Sequence, residues 1–152
     1  MAEVRYVVSP LGSVYQRLDQ LAWLLLRTMY GGFFIPHGAQ KLFAMFGGGG
    51  PIKTAEGFAR NGLEPSLFWA YYLGSLEFFG GMLILIGLFT RPVAALFFGF
   101  MFVAATWANV DRGYFWTKGG IEMPILLAVL ALVILIRGGG AVSVDRLIGR
   151  EF

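Results

Sequence analysis

The stretch LFWAYYLGSLEFFGGMLILIGLF, residues 67–89, carries a single charge, Glu77. As a helix rising about 1.5 Å per residue it is long enough to cross a hydrocarbon core of about 30 Å. It predicts a transmembrane helix over 66–89 with a carboxylate near mid-depth. A charge at the bilayer centre costs at least about 2.5 kcal/mol, so Glu77 calls for a partner or a task. Gly74, Gly80 and Gly81 fall three before, three after and four after it. Small residues let a neighbouring helix approach closely, so the Glu77 face is expected to point into the protein. Phe68, Tyr72, Phe79, Leu83 and Ile86 are left to the other faces.

Working outward, three more apolar segments follow the same logic. The first, over 21–42, contains Arg27, His37 and Lys41, and Pro36 and the pair Gly31-Gly32 offer it places to kink. The third span covers 93–110 without a charge, and the fourth, 121–137, is short. Only Thr90, Arg91 and Pro92 separate the second and third spans, which predicts an antiparallel hairpin. The expectation is one all-α domain over 1–152, a polytopic transmembrane four-helix bundle. Gly47 to Gly50 stands in the first long loop but lacks the GxxxxGK[ST] spacing of a phosphate loop. Gly138 to Gly140 reads as a helix stop with a flexible joint, and the tail after it as a short interfacial turn with Leu147 and Ile148 dipping into the membrane surface.

Composition agrees with lipid as the main solvent. Of the 152 residues 57% are hydrophobic and 14% charged, against about a quarter charged in soluble domains. The 12 basic and 9 acidic residues are scattered, so no run suggests a nucleic-acid partner. With no cysteine and one histidine, disulfides, thiolate clusters, a CxxC relay and a bis-histidine haem are excluded, and no metal site is predicted. The first twenty residues lack the apolar stretch of a cleaved signal peptide, so the first span is expected to act as an uncleaved insertion signal. Four spans put both termini on one side. Arg5, Arg17, Arg91, Arg137, Arg146 and Arg150 lie there, against Lys41, Lys53, Arg60, Arg112 and Lys118 opposite, which leans toward cytoplasmic termini.

The polar groups converge in angle and depth. At about 100° per residue Arg27, Phe34 and Lys41 share a face within about 40°, and His37 lies about 40° from Lys41. Counted along the membrane, Arg27 falls at about 9 Å, Glu77 at about 18 Å and His37 at about 24 Å. A polar pocket open toward the first and third loops follows, built from Arg27, His37, Lys41, Glu77 and Glu122. Plainer roles stand beside this one. Glu77 and Arg27 can form an ion pair that only sets helix register. Glu122, two before Pro124, can simply complement its helix dipole. Lys41 can snorkel to headgroups beside an interfacial His37, Arg91 can set topology, and Trp107 and Trp116 can anchor the interfaces.

The strings HGAQKLF (37–43), EFFGGMLILIGLFTR (77–91), GGIEMPILL (119–127) and GGGAVSVDRL (138–147) together resemble the DoxX family. The resemblance covers most of the chain from about Trp23 to Leu147. It implies a small four-helix bacterial or archaeal protein of the cytoplasmic membrane, associated with quinone-linked oxidoreductases. Arg27, His37, Lys41, Glu77 and Glu122 match the family's polar positions, with Arg91 and Asp145 flanking them. Three functions remain open. The favoured one is an oxidoreductase component acting with quinone, in which His37 and Glu77 deliver protons while Arg27 or Lys41 stabilises negative charge and Glu122 helps bind. The others are a small-molecule transporter or exporter, which would need a homo-oligomer, and a non-catalytic scaffold for a soluble redox partner protein.

Overall fold

The computed structural model describes residues 9–152 and is helical throughout, with α1 Ser9–Phe43, α2 Gly50–Arg60, α3 Ser66–Ile86, α4 Thr90–Ala108, α5 Glu122–Arg137 and a short α6 Val144–Leu147. Arg5 and the rest of residues 1–8 lie outside the described residues. Among the described helices, α3 and α4 are long and apolar enough to cross a membrane. In α1 the polar residues Arg27, His37 and Lys41 dilute the apolar run, and α5 has only 16 residues.

One core draws on α1, α3, α4 and α5, centred on Tyr30, Phe34, Ile84, Phe97, Ala131 and Ile134. Outward faces carry Phe68, Tyr72, Phe79 and Ile86 exposed, while Gly74, Glu77, Gly80 and Gly81 are buried, as the spacing around Glu77 predicts; Leu83, expected outward, is instead half-buried and packs against the core.

α1 departs from expectation at both ends of its argument. It is already helical at Ser9, the first described residue, about three turns before the apolar segment, and it runs uninterrupted through Pro36. Gly31 is a contact rather than a weak point. A Cβ there would lie 2.7 Å from the Leu85 backbone nitrogen, and one on Gly81 would lie 2.8 Å from the Gly31 carbonyl oxygen. The two helices therefore touch backbone to backbone at Gly31 and Gly81.

The α3–α4 hairpin forms, but its turn is Gly87-Leu88-Phe89, and Thr90-Arg91-Pro92 make the first turn of α4. Gly87 takes the left-handed conformation (φ +73°), and the Leu88 N–H donates back to the Leu83 carbonyl, closing α3. Loop one, which the glycine run predicts to be irregular, holds α2. Gly138 to Gly140 is a packed element instead of a flexible joint. Gly138 and Gly139 are buried, and the Trp23 indole N–H donates to the Gly138 carbonyl at 3.2 Å.

Candidate functional site

α1 turns Trp23, Arg27, Tyr30 and Phe34 inward, with Lys41 farther along the same face. That stripe is the common face predicted for Arg27, Phe34 and Lys41. Across from it, α3 carries a π-helical turn over Leu76–Gly80, with Glu77 on it. Such a turn adds one residue to the helix and re-aims the side chains on it, and these turns recur at functional sites. Here it presents Glu77, 3% exposed, to α1. The Lys41 ammonium donates to Glu77 Oε2 and forms an ion pair with it. The lysine keeps part of its side chain open, so a buried carboxylate is joined to a partner that reaches the outside.

The pair borders a cavity of about 490 Å³. Phe33 and Phe34 from α1, Leu73 from α3, Phe100 and Trp107 from α4 and Leu127 from α5 give it a mainly apolar and aromatic wall. His37 also lines it, with its ring 4.8 Å from that of Phe33. Tyr30, Phe34 and Phe97 close the inner end, with Phe34 and Phe97 at 4.4 Å and the Tyr30 hydroxyl donating to the Leu127 carbonyl at 3.2 Å. A second π-helical turn, Ala104–Ala108, places Ala104, Trp107 and Ala108 on the same cavity. At another part of the rim Arg112 donates to Asn61 Oδ1 at 3.5 Å, and Asn109 donates to the Ala104 carbonyl at 3.1 Å.

Two of the five expected residues do not join this site. Arg27 lies beyond the aromatic floor and does not pair with Glu77. Its Nη1 donates to the Ile84 carbonyl at 2.9 Å and its Nη2 to the Val142 carbonyl at 2.7 Å. Asp145 supplies the opposite charge nearby and is itself fully engaged. It accepts from the Phe89 and Thr90 backbone N–H groups at 2.9 and 3.0 Å and from the Thr90 hydroxyl at 2.7 Å. Asp145 thereby caps the N-terminus of α4, where an anion is favoured. Glu122 stands in the first turn of α5 and accepts from the Trp116 backbone N–H at 2.9 Å; Met123, Pro124 and Leu127 line the cavity instead. Its plainer role as a helix-terminus carboxylate is the one the geometry matches. Arg91 pairs with Glu151 at 3.3 Å on the surface.

Sequence reasoning missed Phe58, Asn61, Asn109 and Arg112. The first two depended on recognising α2, whose Ile52, Ala55 and Phe58 repeat at helical spacing. Trp107 lines the cavity while Trp116 is exposed and does not. Among the described residues no three His, Asp or Glu side chains gather as a metal ion would require.

The described fold is all-helical, two of its helices are long and apolar enough to cross a membrane, and a buried carboxylate–ammonium pair borders an apolar cavity, which together describe a small integral membrane protein. The chain belongs to the DoxX family, whose model matches residues 22–110. It is also 30% identical over 126 residues to a Bacillus subtilis (strain 168) protein named "Putative oxidoreductase CatD", covering 83% of this chain and 86% of that one. No solved structure matches it.

Proposed function

We propose that the protein spans the bilayer four times, with α1, α3, α4 and α5 as the spans, and serves a quinone-linked membrane oxidoreductase system. The quinone ring would occupy the cavity beside Lys41 and Glu77. The observation that carries this is a buried ion pair placed against an otherwise apolar, aromatic cavity. Pockets of about 300–1,000 Å³ with few polar groups are the usual form of small-molecule sites, and the cavity of about 490 Å³ falls in that range. Inward rotation of Arg27 and Lys41 makes α1 acceptable as a span, and α5 reaches about 24 Å before Arg137 snorkels. The relative's name as an oxidoreductase points the same way.

A bound quinone would supply two-electron, two-proton acceptor chemistry. The chain's own residues would do the rest. Glu77 and His37 would take up protons at a carboxylate oxygen and a ring nitrogen and pass them on to the ring oxygens, with Lys41 placing a positive charge beside them. Phe33, Phe34, Phe100 and Trp107 keep water from the ring. Without cysteine the chain offers no thiol relay of its own, so electrons come from another subunit or a soluble redox partner. Termini on the cytoplasmic side of a bacterial or archaeal membrane complete the reading.

Organic extraction and mass spectrometry of protein purified in mild detergent test it. A stoichiometric quinone is expected from the unaltered protein and from Glu122→Gln, and is expected to be lost from Glu77→Gln and His37→Ala. Bulk lipid alone, with no binding of added quinone, would abandon this reading in favour of transport or scaffolding.

A further inference from the structure

A second hollow of about 490 Å³ lies in the cleft between α3 and α4. It is apolar, with Trp69 and Tyr72 on one side and Ala95, Leu96 and Gly99 on the other. Three observations tie it to the Glu77 cavity. First, the two hollows share Leu63, Leu73, Phe100, Val103 and Trp107, so a single layer of side chains forms their common border. Second, α3 and α4 approach closely beside their turn, along the π-helical turn and Gly81–Ile86, and part along Ser66–Ser75, which leaves the cleft open at the level of the cavity. Third, Gly99 keeps the cleft clear. A glycine inside a helix costs about 1 kcal/mol relative to alanine, and at the glycines where two helices of this fold meet a close neighbour accounts for it. A Cβ on Gly31, Gly74 or Gly81 would come within 3.0 Å of another helix, whereas one on Gly99 would meet nothing within 4 Å. No neighbouring backbone uses the space that Gly99 leaves.

We propose that the α3–α4 cleft holds the polyprenyl tail of a quinone whose ring occupies the Glu77 cavity, the tail passing between Leu73 and Trp107. This rests on the quinone reading above and adds the class of ligand: a lipid-tailed quinone that enters sideways from the bilayer. A cavity of about 490 Å³ accommodates a substituted ring, while a long tail needs further room, and the cleft supplies it in an apolar setting.

The test uses the full chain in detergent and two probes, a tail-less methoxylated benzoquinone and the same ring carrying a long polyprenyl tail. The unaltered protein is expected to bind the tailed probe more tightly. Gly99→Phe fills the cleft from a position with open space around it, and Ala95→Phe does so independently one turn earlier. Each is expected to weaken the tailed probe about tenfold or more, as when two or more methylenes lose apolar contact, and to leave the tail-less probe unchanged. Equal weakening of both probes would overturn the tail site by showing that the substitutions disturb the ring cavity. No weakening of either, or no gain from the tail in the unaltered protein, would show that the cleft holds only bulk lipid. Failure of the unaltered protein to bind either probe would instead remove the quinone reading itself.

Discussion

Arg27 and Glu77 are both buried, at 1% and 3% exposed, yet they are held in opposite ways, although the arginine's Nε has no hydrogen-bond partner among the described residues. The guanidinium is gripped by two backbone carbonyls, with Asp145 as its counter-charge and Gly87 and Ser143 packed close around it. The carboxylate is held by one flexible lysine and faces a cavity. Fixed backbone partners on Nη1 and Nη2 suit the Arg27 charge to holding the chain together. A single, partly exposed partner beside open volume leaves the Glu77 carboxylate available to a ligand. Tyr30, Phe34 and Phe97 stand between the two regions, so substitutions in each are expected to have separable consequences.

The largest expected effect is around Arg27 and Asp145. Asp145→Ala leaves two backbone donors and a hydroxyl unpaired and removes the counter-charge of a buried arginine. Breaking such an arrangement costs about 3–5 kcal/mol. The folded fraction in detergent should collapse, read as a large fall in thermal midpoint and loss of a monodisperse size-exclusion peak. Midpoints within a few degrees of the unaltered protein would mean that the C-terminal segment is not what secures the α3–α4 turn. Glu77→Gln makes the opposite case. Lys41 keeps access to the cavity mouth, so the fold should survive. Bound quinone should be lost, and quinone-dependent turnover should drop by at least about 10²–10⁴-fold, the range for removing a general acid or base alone. Equal losses of stability in both variants would erase the distinction between lock and site.

Much of this is legible in the sequence. The inward face of α3 followed from Glu77 with Gly74, Gly80 and Gly81, because close helix approach leaves a short-range signature in one segment. The common face of Arg27, Phe34 and Lys41 followed from helical spacing for the same reason. Partner choice was not legible. Arg27 and Lys41 flank Glu77 almost symmetrically in depth, and three things decide between them: the aromatic floor, the added residue of the π-helical turn, and Asp145 arriving from 118 positions later in the chain. None of these is a local property. Glu122 looked like a pocket residue because it lies on the correct side of the membrane, but angle as well as depth determines who meets whom. The cavity rim at Asn61 and Arg112 depends on α2, hidden behind a glycine run that reads as loop.

Gly81→Ala should act on both regions at once, because Gly31 and Gly81 fix the spacing of α1 and α3 between them. The new methyl group would lie 2.8 Å from a backbone oxygen, which cannot swing away. Overpacking of this kind costs about 1–3 kcal/mol. As the helices part, the Lys41–Glu77 pair and the contact of Arg27 with Ile84 should loosen together. The prediction is a moderate fall in thermal midpoint accompanied by weaker quinone binding. A fall in midpoint with unchanged binding would place the pivot elsewhere.

The smallest effect is expected at Glu122. Its carboxylate complements the N-terminal end of α5 and accepts one backbone N–H from Trp116 at an exposed position. Glutamine retains an acceptor there and loses only the charge, worth about 0.3–1 kcal/mol at a helix end and less in salt. Glu122→Gln should therefore shift the thermal midpoint by only a few degrees at low ionic strength, with the shift shrinking as salt is added, and should leave quinone content intact. This variant tests the contrast from its outer edge. Loss of quinone from it, at unchanged stability, would bring Glu122 back into the site and show that the rim of the cavity, and not only its buried pair, selects the ligand.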